Sequence, residues 1–141
     1  MRPKFLHGAS FLLVAALAVS ALPSAANAQA AKKAKVATLE GSRSGGGTVL
    51  FASGAKEQAR CRAQYRSAGK NSYTLNATCA TASGRAAQTA TVRRVGENKY
   101  SGRFYNSEYS ISGVIHIVVR GASQTVRLIS DSGSAFFNLN R

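Results

Sequence analysis

The stretch EQARCRAQYRSAGKNSYTLNATCA, residues 57–80, decides the fold. In its first half Ala59, Cys61, Ala63 and Tyr65 alternate with Arg60, Arg62, Gln64 and Arg66. In its second half Tyr73, Leu75, Ala77 and Cys79 alternate with Ser72, Thr74, Asn76 and Thr78. A period of two marks a strand with one face in a core and the other in water. Gly69-Lys70-Asn71 lies between the runs and tolerates the positive φ angles of a tight turn, so the segment reads as a hairpin. Pairing the runs symmetrically about Lys70 sets Cys61 opposite Cys79, Ala63 opposite Ala77 and Tyr65 opposite Leu75. Opposed residues in an antiparallel pair have Cα atoms about 4.5 or 5.5 Å apart, within disulfide range. Side-chain alternation and a Cys61–Cys79 disulfide therefore require the same register. A bridge closing a loop of this size stabilises by roughly 3 kcal/mol on a loop-entropy basis.

Working outward, turn chemistry recurs at Ser53-Gly54, Ser83-Gly84, Gly96-Glu97-Asn98, Asn106-Ser107-Glu108, Gly121-Ala122-Ser123 and Asp131-Ser132-Gly133. With the Gly69 turn these separate eight candidate strands. Alternation returns from Tyr109 through Ile111, Gly113, Ile115 and Ile117 to Val119, and again at Val126 and Leu128. The expectation is an all-β fold, an eight-stranded antiparallel meander. Closure into a small barrel of the lipocalin or avidin kind removes the exposed edges; a two-sheet sandwich is the alternative. The expected core includes Val49 or Leu50, Val92, Phe104 and one of Phe136 and Phe137 beside the residues already named. Gly45-Gly46-Gly47-Thr48 lacks the Lys and helix of a phosphate loop and reads as a flexible strand entry.

The amino end has a different character. Arg2 and Lys4 precede an apolar run from Phe11 to Leu22; Pro23 breaks it, and Ala26-Asn27-Ala28 gives a small-x-small cleavage pattern. These are the parts of a secretory signal, whose 12-residue apolar helix is too short to span a bilayer, a task for about 20 residues. The expected organisation is a signal peptide over 1–28, a basic flexible arm over 29–40 carrying Lys32, Lys33 and Lys35, and a single β-barrel domain over 41–141. The predicted location is periplasmic or secreted, and two cysteines in an exported chain suit an oxidising compartment. Cleavage after Ala28 leaves 17 Lys or Arg against five acids, Glu40, Glu57, Glu97, Glu108 and Asp131. Such an excess of positive charge bears on partners rather than on fold.

Catalytic chemistry has few parts to work with. His116 is the one histidine after Ala28, the two cysteines are committed to each other, and no His, Cys or carboxylate cluster with metal-ligand spacing occurs. The acids Glu97, Glu108 and Asp131 fall in turns, and no nucleophile-elbow pattern is present. The sequence predicts neither an enzyme nor a cofactor or metal site. The feature above background is arginine. Arg60, Arg62 and Arg66 share one strand face, and Arg103 and Arg127 are expected to point outward, with Tyr105 and His116 among them. Guanidinium forks suit phosphate, sulfate and carboxylate groups. On strand 109–120, Val114 and Val118 lie on the face opposite the core, beside Ile129 of the next strand. Apolar residues on both faces suggest cover by the arm or a loop, or a partner surface.

The segment from Gly41 to Tyr65, with Gly54, Glu57, Cys61, Arg62 and Tyr65 and then Cys79, resembles small exported β-domain proteins of rhizobia and related alphaproteobacteria. Their pattern carries an aromatic where this chain has Arg43. The resemblance implies export and an all-β domain, and transfers no active site.

These readings give three functional expectations. The first is a non-catalytic binding protein whose arginine-rich face contacts an anionic partner: lipopolysaccharide, acidic polysaccharide or a negatively charged protein. Nucleic acid would bind through the same attraction, although export argues against it as the cellular partner. The second is a carrier holding a small apolar or aromatic ligand in a barrel lined by Tyr65, Tyr73, Phe104 and Ile115. The third is an inhibitor of an extracellular hydrolase.

Overall fold

The computed structural model describes residues 38–141; the expected signal peptide and most of the expected basic arm lie outside the described residues. Eight strands follow one another: β1 (Gly41–Phe51), β2 (Lys56–Ser67), β3 (Ser72–Thr81), β4 (Gly84–Gly96), β5 (Lys99–Asn106), β6 (Ile111–Arg120), β7 (Ser123–Ser130) and β8 (Gly133–Asn140). Each pairs antiparallel with the next, and β8 returns to β1, so the sheet is a closed barrel. All seven connections fall at the expected turns. Among the described residues no helix is long and apolar enough to cross a membrane.

The β2–β3 register is the one demanded by the cysteines. Cys61 pairs with Cys79, Ala63 with Ala77 and Tyr65 with Leu75. The disulfide closes between Cα atoms 4.1 Å apart. Both sulfurs sit on the inner wall, where Cys61 and Cys79 are buried within the core cluster.

The structure settles two choices that alternation leaves open. Leu50 faces outward and Val49 packs against the core. Phe137 is the core phenylalanine (3% exposed), whereas Phe136 is 42% exposed. Two expectations are corrected. Tyr109 is not in a strand: β6 begins at Ile111, and the connection is widened by Asn106, whose Oδ1 accepts the backbone N–H groups of Glu108 (3.1 Å) and Tyr109 (3.2 Å). Ser110 then takes φ 52° to enter the strand. The Gly45–Gly47 segment is not a flexible entry but the middle of β1, paired on both sides with β2 and β8. An added Cβ at Gly45 or Gly47 would overlap the carbonyl oxygen of Asn138 or Phe136. On β5, one at Gly102 would overlap that of Thr91. These bare positions let neighbouring strands approach closely and allow the sheet to curl.

The barrel has unlike ends. At the end holding the β2–β3, β4–β5 and β6–β7 turns, Leu39, Tyr65, Val92, Tyr100 and Val119 are buried together with two polar side chains, Arg43 and Gln124, each 2% exposed. The Arg43 guanidinium donates to the carbonyls of Ala122 (3.1 Å) and Thr38 (3.5 Å). Gln124 donates to the Tyr65 hydroxyl at 2.5 Å. Burial pushes the Tyr65 phenol up to about 12, against the smaller opposing effects of that hydrogen bond and of Arg43. This packed plug closes one end.

Candidate functional site

Inward positions of the strands pack the middle of the barrel around Cys61, Leu75, Phe104, Ile115 and Val126, leaving a void of only about 20 Å³. Toward the other end the walls diverge into a cavity of about 330 Å³. Its apolar lining comes from Val49 and Phe51 at the end of β1, Phe104 on β5, Ile111 on β6, Leu128 on β7 and Phe137 on β8. Ala86 and Cys79, opposed across β3 and β4, form part of the wall. Small inward residues on β4 and β8 make the room: Ala86 and Ala135 occupy positions where larger side chains would fill it.

The polar groups at the mouth are mostly engaged. Ser130 donates to the carbonyl of Gly133 (3.1 Å), the Thr81 hydroxyl accepts the Ser83 N–H (3.1 Å), and the Asn106 carboxamide oxygen holds its turn. Gln88 lies directly opposite Asn106 across β4 and β5, lines the cavity, and makes no side-chain hydrogen bond among the described residues. A ligand here meets an apolar wall with the Gln88 and Asn106 carboxamides on one side.

Of the expected ligand-lining residues, Phe104 borders this cavity. Ile115 lies in the packed middle, and Tyr65 and Tyr73 belong to the closed-end half, where Tyr73 meets Tyr100 edge-on at 5.6 Å between ring centres. Sequence alternation places them on the correct face without indicating which end stays open.

The five arginines expected to bind anions all stand on outward positions and are exposed, as are Lys56, Arg85, Arg93 and Lys99. Arg60 and Arg62 lie on the β2 exterior opposite Gly46 and Ser44 of β1 and Ala80 and Thr78 of β3. Arg66 shares a cross-strand row with Thr74, Thr91 and Arg103. Arg127 is directly opposite His116, and His116 is opposite Ser101, whose hydroxyl lies 3.1 Å from the His116 Nδ1. The expected set is therefore divided: Arg103 and Arg127 stand on the exterior of β5 and β7, whereas Arg60, Arg62 and Arg66 share the exterior of β2. Tyr105 is exposed on β5. Arg93, opposite Ser72 and Ser101, joins the first group; it escapes the sequence reading because Arg93 and Arg94 are consecutive and show no alternation. Val114 and Ile129 are direct cross-strand neighbours outside the barrel; Val118 lies toward the closed end, opposite Lys99 and Thr125. Among the described residues no group of three or more His, Cys, Asp and Glu side chains could hold a metal ion.

No family model matches the chain, and no curated protein matches it. Solved structures share its architecture. The chain is similar to the redesigned β-barrel mFAP1 bound to DFHBI, with a TM-score of 0.59 and 11% identity over 70% of this chain and 92% of that one. It is also similar to the redesigned barrel mFAP0 bound to DFHBI (0.58, 12% identity, 70% and 95% covered). A fluorescence-activating β-barrel obtained by de novo design is a third likeness (0.54, 13% identity, 70% and 90% covered). At such identities the likeness is one of fold alone.

Proposed function

We propose that this protein is an exported, non-catalytic carrier that binds one small, largely apolar molecule in the open end of its barrel. The carrying observation is the cavity of about 330 Å³ above a packed middle and a sealed opposite end. Small-molecule sites are concave, mostly apolar, about 300–1,000 Å³ in volume, and furnished with few polar groups. Gln88 and Asn106 supply those groups, favouring a compact ligand with one hydrogen-bonding edge. Two barrels of like fold are described as bound to DFHBI, which supports small-molecule binding by this architecture. The disulfide suits the oxidising destination implied by residues 1–28.

The test uses a neutral solvatochromic dye, Nile red, with the wild-type chain and Ala86→Trp, which fills the cavity from its β4 wall. Dye emission rises and shifts with wild type, and the affinity falls at least tenfold in the variant while its circular dichroism is unchanged. Equal binding to both proteins places the dye elsewhere and ends the carrier reading.

A second reading, an anionic envelope or extracellular partner held by Arg60, Arg62, Arg66, Arg103 and Arg127, is favoured by one observation. None of the five acids occupies an outward strand position: Glu40 precedes β1, Glu57 lies on the inner phase of β2, and the rest are in turns. Attraction of this kind falls steeply as salt screens it. Retention on a polyanion column that is unaltered at about 0.5 M salt, where the Debye length is only a few ångströms, counts against it.

A further inference from the structure

We infer that the exterior of β4–β7 is a binding face for a linear anionic polysaccharide, with Arg93, Lys99, Arg103, His116 and Arg127 as its contacts. The inference rests on the second reading above, that exterior cations hold an anionic partner, and locates the partner on one side of the barrel.

The register places these residues. Arg93 on β4 is opposite Ser101 on β5, and Lys99 and Arg103 are the outward positions on either side of Ser101. With strands about 4.8 Å apart and two residues advancing about 6.7 Å, each lies about 8 Å from Arg93 between Cα atoms. Arg103 is opposite Val114, which puts His116 at the same diagonal step, and His116 directly faces Arg127. Four neighbouring strands thus carry a zigzag of cationic side chains and an imidazole, all exposed, with no carboxylate on any outward position between them.

A single small anion would need all these groups to converge; spread over four strands, with only His116 and Arg127 directly opposed, they do not, and they suit charges repeated along a chain. Arg forks take carboxylate or sulfate groups bidentately. Ser101 and Thr91 occupy the spaces between Arg93, Lys99 and Arg103 with hydroxyls fit for sugar hydroxyl groups, while Val114 and Ile129 lie between Arg103 and the His116–Arg127 pair as an apolar strip for the sugar ring, with Tyr105 exposed at the edge. The face lies on the outer wall, so its occupation leaves the cavity mouth open. A rival location is the open concavity around Arg62, Gln64, Asn76 and Arg141. Of its three guanidinium groups Arg43 is buried and bonded to backbone carbonyls, which leaves two against the four cations of the β4–β7 zigzag.

The test compares two charge-matched variants of the full mature chain, Arg103→Glu/Arg127→Glu and Arg60→Glu/Arg62→Glu, each lowering the net charge equally. The probes are alginate, neutral dextran and single-stranded DNA, at low salt, by affinity electrophoresis. The β4–β7 pair weakens alginate binding at least tenfold, the β2 pair less than threefold, and dextran binds neither. Equal losses in both variants reduce the effect to net charge and overturn the inference. Loss confined to the β2 pair also overturns it, moving the site to the Arg62 concavity while the second reading survives. No alginate or DNA binding by wild type removes the second reading itself. DNA bound more tightly than alginate at the same salt overturns the polysaccharide assignment. Far-ultraviolet circular dichroism and melting are read for both pairs, and Arg103→Gln/Arg127→Gln with Arg60→Gln/Arg62→Gln replace both if either fold is disturbed.

Discussion

Gly46 and Gly47 are neighbours on β1 with opposite tolerance for a methyl group. A Cβ on Gly47 would strike the Phe136 carbonyl and the Phe137 ring, so the β1–β8 ladder must part to admit it; at Gly46 the nearest atom is the Ala59 carbonyl oxygen at 3.4 Å. Gly47→Ala is expected to cost about 2–3 kcal/mol, as overpacking commonly does. Gly46→Ala should be neutral or stabilise by up to about 1 kcal/mol, since it restricts the unfolded chain. Guanidinium unfolding followed by circular dichroism separates the two; equal midpoints would show that β1 is not tightly flanked. Tyr65 offers a second residue-level outcome. Its folded-state phenol is raised to about 12 from 10, so folding favours the neutral form. Stability is therefore unaffected below about pH 10 and declines between pH 10 and 12, by roughly 2.7 kcal/mol for two units. Tyr65→Phe should remove this alkaline decline while costing about 1–3 kcal/mol at neutral pH, because Gln124 is left without its buried acceptor. An unchanged alkaline midpoint in that variant would assign the decline to other groups.

Among elements, the β2–β3 hairpin carries a covalent lock inside a sheet already closed by β1 and β8. Replacing both cysteines by alanine should remove about 3 kcal/mol through the freed loop, yet leave the eight-stranded spectrum in place at low temperature, because seven other ladders remain. Loss of all β signal on reduction would mean the ladders cannot hold the closed sheet alone. This hairpin is legible in the sequence because each strand alternates cleanly and the turn between them has distinctive chemistry. β1 is less so: three consecutive glycines offer no side chains whose alternation could be read, so a tightly paired strand reads as slack chain. The start of β6 misleads for the reverse reason. Tyr109 keeps the parity of Ile111 and Ile115, and only the Asn106 side chain, bonded to two backbone N–H groups, shows that the turn extends further. Alternation also predicts a face but not a volume. It puts Phe104 inside, and cannot tell a filled middle from an open end.

At the scale of the whole molecule, the barrel separates what it could bind inside from what it could bind outside. The cavity opens among the β1–β2, β3–β4, β5–β6 and β7–β8 connections, while the plug of Arg43, Tyr65 and Gln124 seals the other end. The exterior cations Arg103 and Arg127 share strands with Phe104 and Leu128 but point the opposite way, as adjacent residues on a strand must. The wall between them is one sheet thick, and Phe104 and Leu128 fill its inner side. A small ligand and a polyanion should therefore bind without influencing each other. For separated sites with no shared partners, non-additivity is about 0.3–0.5 kcal/mol, or about twofold in affinity. Ala86→Trp should weaken dye binding at least tenfold and leave alginate affinity within twofold of wild type, and Arg103→Glu/Arg127→Glu should do the converse. Ligand at about a hundred times its dissociation constant should stabilise wild type by about 2.7 kcal/mol, with or without alginate, and leave Ala86→Trp unmoved. Coupling larger than about 1 kcal/mol between dye and alginate would mean the wall yields when either site fills, and the rigid division of inside from outside would fail.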